Sequence, residues 1–231
     1  MKLLIIDTET TGLEEKVDQV IEVAGVLFDV KLRDVICQLS FVLPCDDNAA
    51  RHINKIAPEV TQASGAPLTN TMMKSFYKMV AQADYLVAHN AAFDKKWFGE
   101  GQGLFPLDVP WICSMEDIRW PRSSKKGRPS VVSLALDYGV PVWSAHRALT
   151  DCIYLAEIMK REPALRQIIK ESLEPTKIYI SMLPYESRQQ CKDAGFTWND
   201  LVPKRWAKKM RESEVKTLGF QVSEAVLQFM L

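Results

Sequence analysis

The sequence has no apolar run near the ~18 residues that would span a bilayer, so a helical membrane protein is not expected. Its opening, MKLLIIDTETTG, holds only a four-residue apolar run before an acid, too short for the core of a secretory signal. The five cysteines (Cys37, Cys45, Cys113, Cys152, Cys191) are scattered and form no C-x-x-C pair, which argues against a disulfide framework and a zinc site. A reducing, cytoplasmic setting is the natural expectation. Neither sign of charge dominates: 29 basic residues balance 29 acidic ones, unlike a passive nucleic-acid coat. No internal repeat or low-complexity tract is present.

What remains is an ordinary globular composition, 47% apolar and 25% charged over 231 residues, enough for one good core and a small second unit. The charge is unevenly placed. Residues 1–174 carry 20 basic and 23 acidic side chains, and residues 175–231 carry 9 and 6. Acids clustered around cations in the first part would be offset locally, leaving a basic tail to meet a polyanion.

Residues 3–6 (LLII) read as a buried strand, and 20–28 and 35–43 continue a meander with it. A helix is expected over 69–81, capped by Thr69 or Thr71, followed by a strand at 84–88 and a helix at 91–99 capped by Asn90. Trp111 and Ile112 suggest a short strand, and 131–138 and 147–161 read as helices. Strands first, then strands alternating with helices, predict an α/β layer with a mixed sheet. The breaker-rich segment 119–130 is a loop. The expected domains are 1–162 and 177–231, with 163–176 as a linker in which Pro163 and Pro175 flank a short helix. The second is a small α+β unit, with a strand at 177–182 and a helix from Pro184 to Ala194.

Three short segments carry candidate chemistry. Asp7 and Glu9 follow the first apolar run, and a spacing of two puts both on one sheet face. Adjacent carboxylates repel unless a cation joins them, and magnesium or manganese prefer such oxygen ligands. The second segment, HNAAFD at 89–94, places Asp94 about one turn inside a helix. The third, HRALTD at 146–151, sets His146 before a helix and Asp151 within it, and an imidazole near neutrality can take a proton from water. Taken singly, each has a plain structural explanation as a turn, a cap or a helix-dipole acid.

Together, DTETTGL, VIEVAGVLF, VAHNAAFD and AHRALTDC resemble, in order, the motif blocks of the DnaQ-like DEDDh 3′–5′ exonuclease family, over about residues 1–160. VAHNAAFDKKWF, PWICSM and AHRALTDC are most similar to its exonuclease-X-like branch. The resemblance implies a ribonuclease-H-like mixed sheet flanked by helices and a site for two divalent cations, Mg²⁺ or Mn²⁺. Asp7 would bridge both ions, Glu9, Asp94 and Asp151 would complete the ligands, and His146 would be the general base. It further implies release of nucleoside 5′-monophosphates from DNA 3′ ends. Backbone groups near Thr8 and Thr10 would hold the terminal 3′-OH, Leu13 would wedge against the last base, and Asn90 would support the site. Two departures stand out. Many relatives carry a histidine, a small residue and isoleucine where this chain has Asn54-Lys55-Ile56, and some carry a glutamate where it has Ala49-Ala50.

Single-stranded DNA 3′ ends are therefore the expected partner. An RNA-processing exoribonuclease is the alternative within the class, because the metal chemistry does not read a 2′-hydroxyl. A non-catalytic nucleic-acid-binding subunit is the alternative outside it. The loop cations Arg119, Arg122, Lys125, Lys126 and Arg128 are expected to meet phosphates. Lys204, Arg205, Lys208, Lys209 and Arg211 beside Trp198 and Trp206 suit single strands, with core packing or a homodimer as the competing roles.

Overall fold

In the computed structural model, which describes residues 1–99, 104–125 and 128–225, the chain divides into two compact units, Met1–Ser172 and Leu173–Leu231. The first begins with three antiparallel strands, β1 (Lys2–Thr10), β2 (Val20–Asp29) and β3 (Asp34–Val42). Short helices α1 (Arg51–Asn54) and α2 (Pro58–Ala63) lead into α3 (Ala66–Val80). Then come β4 (Tyr85–Ala88), α4 (Ala91–Lys95), β5 (Trp111–Cys113), α5 (Val131–Asp137), α6 (Ala148–Arg161) and α7 (Leu165–Ser172). The sheet order is β3-β2-β1-β4-β5, with β4 parallel to β1 and β5 parallel to β4, so the sheet is mixed as expected.

The strand period of two sorts β1 between two layers. Leu3 and Ile5 join Ala24, Val26 and Phe28 in a core closed by residues of α5, α6 and α7. Leu4 and Ile6 face a second core, with Phe76, Met79 and Val80 of α3. Asp7 and Glu9 continue the Leu3–Ile5 row and so look toward α6, while Thr8 looks to the other layer. Parallel β1 and β4 end on the same side, and the carboxyl ends of such strands are where open α/β sheets build their sites.

Several boundaries differ from expectation, each for a local reason. Between Pro163 and Pro175, α7 places Leu165, Ile168 and Ile169 in the first core, so this segment packs with the first unit. The third helix starts at Ala66 behind Gly65 and Pro67, so neither Thr69 nor Thr71 caps it, and Thr69 is buried within it. Helix α4 stops at Lys95, and Asn90 occupies its cap position without a side-chain bond.

The second unit pairs β6 (Thr176–Ser181) with β8 (Trp206–Arg211) and β9 (Val222–Glu224), and β8 with β7 (Thr197–Trp198), giving the order β7-β8-β6-β9. The expected helix after Pro184 is a 3₁₀ turn (Tyr185–Ser187) running into α8 (Arg188–Asp193), and α9 (Glu212–Val215) follows β8. Tyr179, Cys191, Phe196 and Met210 form its core. Among the described residues no helix is long and apolar enough to cross a membrane.

Candidate active site

A cavity of about 680 Å³ opens at the end of β1, lined by Asp7, Thr8, Glu9, Thr10, Leu13, Asn90, Asp94, His146 and Asp151 among others. Carboxylate oxygens of Asp7, Glu9 and Asp151 lie within 4.8 Å of one another. The strand supplies the first two from one face, and α6 supplies the third across that face.

Asp94 reaches the same cavity from α4 and is 2% exposed. Its Oδ1 accepts hydrogen bonds from the Thr8 backbone N–H (3.0 Å) and the Thr8 Oγ1 hydroxyl (2.9 Å). Both Thr8 donors are thus engaged within the protein. The Thr10 hydroxyl donates to Gly12 O (2.6 Å), and its carbonyl accepts from Asn54 Nδ2 (3.1 Å). Asn54 therefore ties the strand end to the following segment. Asn48 Nδ2 completes that buried network by donating to Asn54 Oδ1 and the Ile56 carbonyl. Lys55 takes a left-handed φ of 60°, a conformation uncommon outside glycine.

Burial raises the proton affinity of all four acids, and neighbouring carboxylates add to it at Asp7 and Glu9. Withdrawal from water, then Asp94, Glu9 and Asp151, hold Asp7 well above the usual carboxylate range. Burial and then Asp151 push Glu9 up to about 8, with Arg147 opposing. Burial takes Asp94 to about 7 despite the Thr8 bonds, and Asp151 to about 6 despite the His146 N–H. One oxygen is left over: Asp151 Oδ2 accepts from the His146 N–H at 3.3 Å, while its buried Oδ1 has no hydrogen-bond partner. Four mutually repelling carboxylates and an orphaned buried oxygen fit a divalent cation, which would supply the missing charge and ligand contacts.

His146 is exposed, at a left-handed φ of 61°, between two braces. Upstream, the backbone N–H groups of Trp143 and Ser144 donate to the buried Tyr154 hydroxyl at 2.8 and 2.9 Å. Downstream, Arg147 grips Glu22 through two bonds of 3.0 Å. Glu22, 2% exposed and opposite Glu9 in the sheet, also accepts from Ala148 N–H (3.1 Å) and Ser40 Oγ (2.8 Å). Sequence reasoning missed this clamp, although an acid inside the apolar run VIEVAGVLF was a signal that a partner must exist.

At the cavity mouth Leu13 is 70% exposed, with Ile53 and His52 also lining the cavity, so an apolar rim faces solvent. His89 is bound at both ring nitrogens, to Ser114 Oγ (2.9 Å) and the Pro129 carbonyl (2.8 Å), and burial lowers its pKa. The basic loop is partly tied up: Arg122 lies over the Tyr138 ring and Arg128 pairs with Glu116 at 2.7 Å. Lys126 lies outside the described residues.

The family described as "Exonuclease" matches residues 4–159, and one described as "Domain of unknown function (DUF8626)" matches residues 177–225. DNA polymerase III subunit epsilon of Treponema pallidum is 30% identical over 159 residues, covering 66% of this chain and 72% of that protein. DNA polymerase III PolC-type of Staphylococcus haemolyticus is 31% identical over 152 residues, 64% of this chain, but the match spans only 10% of that longer protein. In structure, Exonuclease X in complex with 5′ overhanging duplex DNA aligns at TM-score 0.53 and 25% identity, over 74% of this chain and 99% of that one. E. coli Exonuclease I in complex with a dA16 oligonucleotide shares the fold at TM-score 0.57 and 13% identity, over 95% of this chain and 68% of its own.

Proposed function

The chain belongs to the exonuclease family, and from that premise we propose that it hydrolyses terminal phosphodiester bonds of DNA from the 3′ end, releasing nucleoside 5′-monophosphates. The observation that carries this reading is the convergence of Asp7, Glu9 and Asp151 oxygens within 4.8 Å, beside Asp94, in one cavity. Those four carboxylates are the proposed cation ligands. Divalent ions held there would supply Lewis-acid stabilisation of the attacking and leaving oxygens and would lower the pKa of water.

The chain's own residues do the rest. His146, on its braced turn at the exposed edge, accepts the proton of the attacking water. The Glu22–Arg147 clamp fixes the start of α6 and with it the spacing of His146 and Asp151. Leu13 and Ile53 offer an apolar surface to the terminal base, and Asn90 stands at the cavity edge with its side chain free of capping. Thr8 acts through Asp94, holding one of its oxygens, and Asn54 acts through the Thr10 carbonyl.

Digestion of end-labelled DNA and RNA oligonucleotides in magnesium, with 3′-blocked and circular controls, tests the proposal. Shortening of DNA from a free 3′ end, stopped by EDTA, is the expected result. Cleavage of the circular substrate contradicts an exonuclease, and exclusive use of RNA reassigns the substrate.

A further inference from the structure

The aromatic and basic residues of the second unit separate into two sets. Trp206 lies opposite Trp198 in the β7–β8 pairing, with ring centroids 5.7 Å apart at 54°. Trp206 packs on the Tyr179–Cys191–Phe196–Met210 core, whereas Trp198 is outside it and 50% exposed. Lys208 donates to the Ala194 carbonyl and Arg211 is buried, so both serve the fold. Lys204 and Arg205, by contrast, stand exposed in the 199–205 connection of the hairpin.

That connection is held in one shape. The Asn199 N–H donates to the Arg205 carbonyl at 3.0 Å, and the Lys204 N–H donates to Asn199 Oδ1 at 2.8 Å. Asn199 and Lys204 both adopt left-handed φ, 55° and 54°. Such conformations are uncommon outside glycine and persist only where the surroundings enforce them. The hairpin therefore presents a large ring and two cations on a preformed tip, and Asp200 leaves that tip net positive. Leu201 and Val202 of the connection are half-buried and Pro203 is exposed, so the tip is mixed in character rather than a continuous apolar face. A single nucleic-acid strand offers what the tip lacks: a flat base for the ring and phosphates for the cations.

We propose that the β7–β8 hairpin is a contact surface for single-stranded nucleic acid, with Trp198 stacking on a base and Lys204 and Arg205 meeting phosphates. The inference rests on the nuclease reading only for the source of the strand, and binding can be measured with hydrolysis switched off. The full chain is titrated in EDTA with a labelled oligothymidylate longer than the roughly 4–16 nucleotides of a typical single-strand site. Trp198→Ala is expected to weaken binding about 5- to 100-fold, with Trp198→Phe retaining most of it. Lys204→Gln with Arg205→Gln is expected to flatten the salt dependence of binding.

Affinity and salt dependence unchanged in both the Trp198→Ala and the double variant overturn the proposal. So does a Trp198→Ala change that converts a dimer to a monomer at constant oligonucleotide affinity, which assigns the tip to self-association. A chain that binds through Trp198 yet hydrolyses no oligonucleotide overturns the nuclease reading and leaves this one standing.

Discussion

In the first unit the four carboxylates proposed as cation ligands are withdrawn from water and gathered in one cavity. In the second, the residues proposed for contact stand in solvent at the end of a hairpin. Asp7, Glu9, Asp94 and Asp151 all hold protons above the ordinary carboxylate range, chiefly through burial, and without a cation they oppose folding. They persist because the packed layers above and below β1 outweigh that cost. Trp198, Lys204 and Arg205 have almost no share in the core they stand on. Substitution in the first unit should therefore trade activity against stability, and substitution in the second should alter binding alone.

The comparison breaks most visibly at Asp7. Asp7→Asn is expected to cost more turnover than the roughly 10²–10⁴-fold of a lost general base, while raising the metal-free melting temperature by removing a repelled charge. A near-normal rate, or a lower melting temperature, contradicts the assignment. His146→Ala comes next: turnover falls roughly 10²–10⁴-fold with cation binding intact. Single-turnover kinetics across pH checks it, and an unchanged pH–rate profile removes the base role.

Glu22→Gln sharpens the comparison, because Glu22 touches structure rather than substrate. Losing the charge that Arg147, Ala148 and Ser40 all address should lower kcat about 10- to 100-fold with KM little changed. The accompanying stability loss is about 1–3 kcal/mol, measurable by denaturant titration. A pure KM effect would move Glu22 to substrate binding.

The smallest effect is thermal. Glu9 sits at about 8, Asp94 at about 7 and Asp151 at about 6 in the folded chain, all above their ordinary values. The folded state thus holds protons more tightly than the unfolded state. Its stabilisation is complete below the ordinary carboxylate range and is lost as pH rises through about 6–8. Melts in EDTA should fall over that window by more than the roughly 2–4 °C that 1 kcal/mol moves a domain of this size. Magnesium should flatten the curve, and a flat curve in EDTA would refute the electrostatic picture.

The parts of the molecule legible in the sequence are those governed by short-range rules. Alternation in LLIIDTE placed Asp7 and Glu9 on one face, and the spacing of His146 and Asp151 about a helix start placed them together. Long-range partnerships were not legible. Glu22 meets Arg147 across 125 positions, and nothing in either segment names the other. Asn54 reads as a departure from the family until its bond to Thr10 is seen. The helices α1 and α2 begin behind Ala50 and Ala57, which provide no side-chain cap. That α7 joins the first core was not legible from the prolines that flank it, and β7 is only two residues long.

The claim beneath all of this is that the carboxylate cluster is a cation site that holds protons until a cation replaces them. Calorimetric titration of the metal-free chain with Mn²⁺ near pH 7, in buffers of different ionisation enthalpy, reads both events at once. Saturable binding with proton release, lost in Asp7→Asn, is the predicted result. Binding without proton release, or equal binding by the Asp7→Asn chain, would contradict it.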